Sequence, residues 1–466
     1  EISTLESSLP NELYDFIFLY LKSIDIIYSF FNLNDRFNNL IYPFLCAIDL
    51  SNVDEPSLEK YHQTILSKVQ HYIKAIKVDD KNVDSVFPLS SYSKIYPNLE
   101  SVFITNVEND AKYLSYLKQL LNLKLYFNVQ EDNETISNEL CSNLFQSDCR
   151  VQTLVFDNVY LSINTYIIHP CFSIRNLTIQ LHSLDNVYVL LNNLPSIEYI
   201  HIDIPQIRPR WQQQQQNDVQ FNYDKNIPSI LSKLKHFVFF SIFTAKYDYL
   251  ELLLSHCCPN LECLSLNLYC NEFIDGERLE KKLLSKLTKL KVFHFYFCIS
   301  ILDNTFNIDN YIQTYKSSYW INNNQSVLCY NQPLRKQYYC VFSLPYVFNM
   351  LSYVSNDLVS YRSNVNDDIL IYNNKAKIIG FHGTVSFTFQ LFEIIQKSCL
   401  KATQLIFIDG SVPFFSDNLM NNELILKNIV VMLLFLVQLE YKYFKRLLLM
   451  TPNIRRLYIL QRVVLD

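Results

Sequence analysis

One pattern constrains this chain more than any other: apolar-x-x-apolar-x-apolar, returning along most of its length. It is spelled by Leu45/Ile48/Leu50, Ile73/Ile76/Val78, Leu99/Val102/Ile104, Leu120/Leu123/Leu125 and Val151/Leu154/Phe156. It continues as Ile174/Leu177/Ile179, Ile197/Ile200/Ile202, Leu234/Phe237/Phe239, Leu261/Leu264/Leu266 and Leu290/Phe293/Phe295. Successive first residues stand 28, 26, 21, 31, 23, 23, 37, 27 and 29 positions apart. The last two apolar positions of each unit are two residues apart and so share one face of a strand. Between these strands, residues 56–72, 184–194 and 247–257 carry apolar side chains at helical spacing. Several helices run into Pro97-Asn98, Pro195-Ser196, Pro259-Asn260 or Pro452-Asn453, where proline ends the helix just before the strand. One strand–helix unit cannot bury its own apolar face, so neighbouring units must stack.

The pattern returns at Ala402/Leu405/Phe407, Ile429/Met432/Leu434 and Ile454/Leu457/Ile459, 27 and 25 residues apart. That spacing makes the apolar run 429–437 a buried strand. Between lies an interruption. Residues 314–321, 326–331 and 337–344 alternate and are rich in Tyr, Phe, Val and Cys, which predicts an antiparallel insertion of two or three strands before a helix over 387–397. The helix, the Pro-Asn turn and the Leu-x-x-Leu-x-Leu strand together resemble the leucine-rich-repeat unit of F-box proteins. The expected fold class is therefore α/β: a right-handed solenoid with a parallel sheet and an antiparallel insertion. A doubly wound α/β domain would place a glycine-rich turn at its switch point, and none is present. Trp211 and the glutamines 212–216 fall in the longest interval and read as a solvated loop.

The N-terminal stretch 9–41 reads as three short helices. Pro10 can open the first, with Glu12 and Asp15 in its first turns where the helix dipole favours negative charge. Leu13, Phe16, Ile17, Tyr20 and Leu21 make an apolar stripe. Asp25 can cap a second helix over 26–31, and Asn34 or Asp35 a third carrying Phe37, Leu40 and Ile41. So small a unit leans on a partner. The ordered set Leu9-Pro10-x-Glu12-Leu13, Ile17-Phe18-x-Tyr20-Leu21, Asp25-Ile26 and Arg36-Phe37 resembles the F-box, although Asn34 and Phe37 stand where the family often carries Cys and Trp. The resemblance implies docking on the Skp-type adaptor of an SCF ubiquitin ligase through Leu9, Pro10, Leu13, Ile17, Leu21 and Ile26, with a cullin scaffold beyond it. The expected division is an F-box over 1–44, a solenoid over 45–300, an insertion over 301–400 and further repeats over 401–466.

Only 4 of 466 residues are glycine, which leaves no GxGxxG or GxxxxGK[ST] phosphate cradle. Asparagine clusters in the loops instead, at 322–324 and 373–374, and it tolerates left-handed turns. The net charge of −5 gives no basic field for nucleic acid or anionic membrane. No apolar run approaches the roughly 20 residues of a membrane helix, and the first residues are polar and acidic. The expectation is a cytoplasmic or nuclear protein. Twelve irregularly spaced cysteines read as buried thiols. The closest approach to a metal cluster, His256, Cys257, Cys258, Cys263 and Cys270, has no CxxC spacing. No catalytic constellation is legible, His382 between Gly380 and Gly383 being the most site-like local feature. Neither a metal nor another cofactor is expected, and no enzyme.

These readings converge on a non-catalytic substrate receptor of an SCF-type ubiquitin ligase. The alternative is a repeat scaffold for protein–protein interaction whose N-terminal helices merely cap the repeats. Strand alternation sends the residues between the core positions to the concave face, where a protein target would be held. Those expected to carry it are Phe103, Tyr126, Tyr199, His201, His236, His294 and Tyr296, large side chains with a polar handle of the kind that dominates interfaces.

Overall fold

The computed structural model describes residues 9–88, 92–108, 113–128, 134–163, 168–204, 223, 226–244, 247–300, 306–333, 337–365, 375–382, 386–410, 424–437 and 440–460. The glutamine run, Gly383 and residues 373–374 lie outside them. The chain forms two compact units, Glu1–Leu234 and Lys235–Asp466.

The first unit opens with helices α1 (Asn11–Phe18), α2 (Ser23–Phe30) and α3 (Asp35–Cys46). Asn34 caps α3, its side-chain oxygen accepting from the Phe37 N–H at 2.9 Å. Helix α2 begins three residues earlier than expected, which puts Asp25 in its first turn rather than at its cap. Strands β1 (Ala47–Leu50), β2 (Ala75–Asp79), β3 (Ser101–Val107) and β4 (Asn122–Phe127) follow, then β5 (Thr153–Leu161), β6 (Asn176–Leu181) and β7 (Tyr199–Ile204). Each pairs in parallel with the next, in chain order. The register aligns Ile48, Ile76, Val102, Leu123, Leu154, Leu177 and Ile200 in one buried row. The recurring apolar triplet is that row read along the chain. Helices α4 (Glu55–Thr64), α5 (Glu134–Leu144) and α6 (Leu184–Asn192) fill connections between strands and bury apolar side chains such as Leu58, Leu140 and Leu190.

The second unit begins with three parallel strands, β8 (His236–Thr244), β9 (Cys263–Cys270) and β10 (Val292–Ser300), with α7 (Tyr247–Cys257) after the first. The antiparallel insertion is present with three strands, within the two or three expected, but not all at the expected residues. β10 pairs with β12 (Gln337–Leu344), β12 with β11 (Ser326–Pro333), and β11 with the two-residue β14 (Arg362–Ser363). Residues expected to form a strand at 314–321 instead lie in and around two short helices, Ile308–Gln313 and Ser318–Asn322. Trp320 decides this locally: it is buried, and its indole N–H donates to the Gly276 carbonyl at 3.3 Å. Repeats then resume earlier than read from the sequence. β13 (Met350–Val354), β15 (Ile378–His382), β16 (Gln404–Gly410), β17 (Val431–Val437) and β18 (Arg456–Leu460) form a second sheet, parallel throughout. Helices α8 (Phe389–Ser398) and α9 (Tyr441–Met450) lie between its strands. One core joins the two sheets of this unit: Tyr296, Phe342 and Tyr346 belong with Phe381, Phe407 and Met432 to a single buried cluster.

Two local devices recur. In the Pro-Asn turns the asparagine amide donates one repeat backwards, Asn98 to the His71 carbonyl at 2.7 Å and Asn453 to the Lys427 carbonyl at 2.7 Å. And the left-handed positions among the described residues belong to Asn32, Asn52, Asn106, Asn158 and Asn324, with Tyr353 the one exception and no glycine. Asparagine thus does the work for which glycine is usually chosen.

Candidate functional site

The apolar residues of α1 spread over more than half of its circumference, so its environment decides which of them face in. Tyr14 and Phe18, one turn apart, are the buried pair. Tyr14 meets Phe37 edge-on at 5.0 Å between ring centroids, and Phe18 meets Phe30 at 5.1 Å and Phe44 at 5.6 Å. Arg36 fastens the start of the helix: its guanidinium donates to Asn11 Oδ1 at 2.8 Å and to the Leu9 carbonyl, and lies 5.5 Å over the Tyr14 ring. The other side is left outward. Leu13 is 45% exposed, Phe16 57% and Ile17 41%, with Leu19, Tyr20 and Leu21 exposed just beyond the helix. Phe16 and Tyr20 pack edge-on at 5.4 Å, so part of the patch is pre-ordered. Glu12 and Asp15, also exposed, stand among these residues. The result is an apolar surface on a rigidly anchored helix, suited to docking a protein partner.

Of the six residues expected to meet an adaptor, Pro10, Leu13, Ile17 and Leu21 are exposed and Leu9 half-buried. Ile26 is not available: it is fully buried. Helix α2 packs on α3 and β1, and Ile24, Ile26 and Ile27 together fill that junction. Phe16 and Tyr20 belong to the stripe read from the sequence but are not among the residues expected to meet a partner, and Leu19 is not in the stripe. The clue was the second apolar face carried by Tyr14 and Phe18.

The strand face of the first unit forms a second candidate. Asp49, Lys77, Phe103, Lys124 and Val155 occupy one register row across β1–β5. Lys77 reaches Asp49 at 3.0 Å. Phe103 lies between two cations, 5.8 Å from Lys77 Nζ and 4.9 Å from Lys124 Nζ. These residues line a shallow cleft of about 490 Å³. Tyr126, Tyr199 and His201 share the same face by strand alternation. His201 Nε2 is 3.0 Å from Asp203 Oδ1, and burial, helped by the Asp203 charge, raises the Tyr199 phenol. The remaining three expected residues belong to the second unit. His236 is exposed at the start of β8, and His294 is half-buried on β10. Tyr296 has to be corrected: it is 2% exposed, donates to the Ser352 carbonyl at 2.7 Å and packs on Phe342 and Tyr346. Alternation puts it on the open face of β10, but Tyr346 and β13 cover that face.

The other sequence candidates fall apart spatially. His256 is exposed and turns its Nδ1 to the Leu252 carbonyl of its own helix at 3.1 Å, whereas Cys257, Cys258 and Cys270 are buried. Burial pushes the Cys257 thiol up to about 11. Among the described residues no group of His, Cys, Asp and Glu is arranged to hold a metal ion. His382 stacks on Tyr353, ring centroids 4.5 Å apart. Among the described residues no helix is long and apolar enough to cross a membrane.

Comparison with known proteins adds little. No family model matches the chain, and no curated protein matches it. Among solved structures, a leucine-rich-repeat protein of Leptospira interrogans aligns over 91% of this chain and 98% of its own, at 13% identity and a TM-score of 0.26. That score is too low to carry any part of the argument, which rests on the chain's own geometry: parallel strand–helix repeats with an apolar patch on the first helix.

Proposed function

We propose that this chain is the substrate-recognition subunit of an SCF-type ubiquitin ligase. The N-terminal helices dock on a Skp-type adaptor, and the strand face of the first unit holds a protein target. Such a subunit performs no chemistry of its own and contributes to rate by raising the target's local concentration. The observation that carries the reading is the outward set Leu13, Phe16, Ile17 and Leu21 on a helix already anchored by Tyr14 and Phe18. A helix serving only to cap the repeats gains nothing by presenting leucine and isoleucine to solvent. The test is co-purification with adaptor and cullin. Leu9→Ala and Pro10→Ala combined with Ile17→Asp are expected to abolish adaptor capture while the circular dichroism of the chain stays unchanged. Adaptor capture that survives the triple change, or is absent from the unaltered chain, rejects the receptor reading.

The second reading is a repeat scaffold without ligase function. Two observations favour it: Ile26 is consumed by the chain's own core, and Arg36 by the start of α1. It predicts capture of protein partners with no adaptor among them.

A further inference from the structure

The turn before each strand is one structural position repeated, identifiable by its backbone hydrogen bond. Glu198 N–H donates to the Arg175 carbonyl at 2.7 Å and Lys291 N–H to the Glu262 carbonyl at 2.8 Å. At these turns the side chains neutralise one another: Arg175 pairs with Glu198 at 3.6 Å, and Lys291 with Glu262 at 2.5 Å. In the second sheet the same bond links Thr403 to Lys377 at 2.8 Å, Val430 to Thr403 at 2.8 Å, and Arg455 to Val430 at 2.9 Å. Among the described residues no acidic side chain stands at these turns. Lys377 and Arg455 hold the outer turns, and Lys401 and Lys427 stand two and three residues before the turns between them. All four are exposed, and among the described residues none has an ion-pair partner. Together they line a groove of about 750 Å³ with no acidic residue among the described residues that line it.

We propose that this groove binds an acidic peptide segment of another protein, with the partner supplying carboxylates of the kind that Glu198 and Glu262 supply at their turns. Strands about 4.8 Å apart place the outer cations roughly 14 Å from one another, the span of about four extended residues. Leu400, Val430, Pro452 and Ile454 give the groove an aliphatic lining, which suits a peptide alternating acidic and apolar side chains. Nucleic acid fits less well, because single strands are held by stacking on aromatic rings and no described residue lining the groove is aromatic. This inference does not depend on adaptor docking.

The test is fluorescence anisotropy of the full chain with a labelled peptide of alternating Asp and Leu. Saturable binding that weakens as salt rises is expected, together with no binding of the matching Lys-Leu peptide. Lys401→Glu with Lys427→Glu is expected to weaken binding at least tenfold, and the charge-removing Lys401→Gln with Lys427→Gln by an intermediate factor. The same reversal at the exposed Lys286 and Lys289 is expected to change affinity less than twofold. Absence of saturable binding overturns the proposal, as does equal loss in both reversal variants. So does tighter binding of a single-stranded oligonucleotide of the same charge.

Discussion

Asp79 shows how much of this fold hangs on single polar side chains. It is almost fully buried at the end of β2, and donors from two other segments converge on it. The Asn52 N–H reaches Oδ2 at 2.6 Å, while the Thr105 hydroxyl at 2.5 Å and the Asn106 amide at 3.1 Å reach Oδ1. Asn52 and Asn106 are also two of the left-handed asparagines. Asp79→Ala removes three hydrogen bonds to a carboxylate, though water can still reach the exposed Asn52 and Asn106, so a loss of about 2 kcal/mol is expected, read as a lower urea midpoint. A shift equivalent to less than about 0.5 kcal/mol would refute the role, since that is the scatter of ordinary surface changes. Two histidines add a pH dependence. His62 Nε2 and His294 Nδ1 are buried with no hydrogen-bond partner among the described residues, and burial lowers both pKa values, with the Lys375 charge assisting at His294. Above about pH 6.5 neither the folded nor the unfolded chain protonates them, and they impose no pH dependence. Below it the unfolded chain takes up protons that the folded chain resists, so stability falls with pH until the depressed folded pKa values are reached. Urea midpoints are expected to drop between pH 7.5 and 5.5, and His62→Gln with His294→Gln to shrink that drop; an unchanged slope would exclude these two groups as its source.

At the scale of elements, most strands were legible because their burial is one-sided and local. A triplet with fixed spacing states which side chains face the helix layer, and nothing distant is needed to find it. The failures have distant causes. β15 carries the same pattern as Ala376/Ile379/Phe381, 26 residues before Ala402, but asparagines 373–374 precede it and Gly380 falls within it, so the stretch reads as a turn. β13 is broken by an irregularity between Leu351 and Val354, where Tyr353 turns left-handed, so its alternation is lost. On α1 the stripe Leu13, Phe16 and Ile17 was readable, but not its direction. Phe30, Phe37 and Phe44 take the Tyr14–Phe18 side instead, and those contacts arise from other helices. The two faces of α1 should therefore respond oppositely. Phe18→Ala removes a buried ring and is expected to cost about 3–5 kcal/mol of local stability, visible as faster hydrogen exchange across residues 11–46. Leu13→Asp is expected to leave that exchange unchanged, because its side chain already meets water. Equal acceleration by both would mean that the face assigned to a partner is part of the chain's own core.

At the scale of the whole molecule, a receptor has to keep two bindings independent. In a stack of repeats each unit touches only its neighbours, so perturbation at one site stays close to it. The first unit carries both proposed surfaces on different elements, the adaptor patch on α1 and the target face on β3–β7. The chain's last test follows from that separation. Phe103→Ala with Tyr199→Ala removes two large side chains from the target face, neither of which is fully buried. Target capture is expected to fall at least tenfold, as it does when aromatic anchors leave an interface, while adaptor capture stays as it was. Leu13→Asp with Ile17→Asp is expected to do the reverse. Tyr296→Ala belongs to neither set: it empties a buried aromatic site beside β12 and under β13, and its effect should appear as lost stability of the second unit at about 3–5 kcal/mol. Measured side by side by pull-down and urea denaturation, the three variants should sort into adaptor loss, target loss and destabilisation. Loss of both captures in either surface variant would show that the two surfaces act as one, and the separation of roles within the first unit would have to be abandoned.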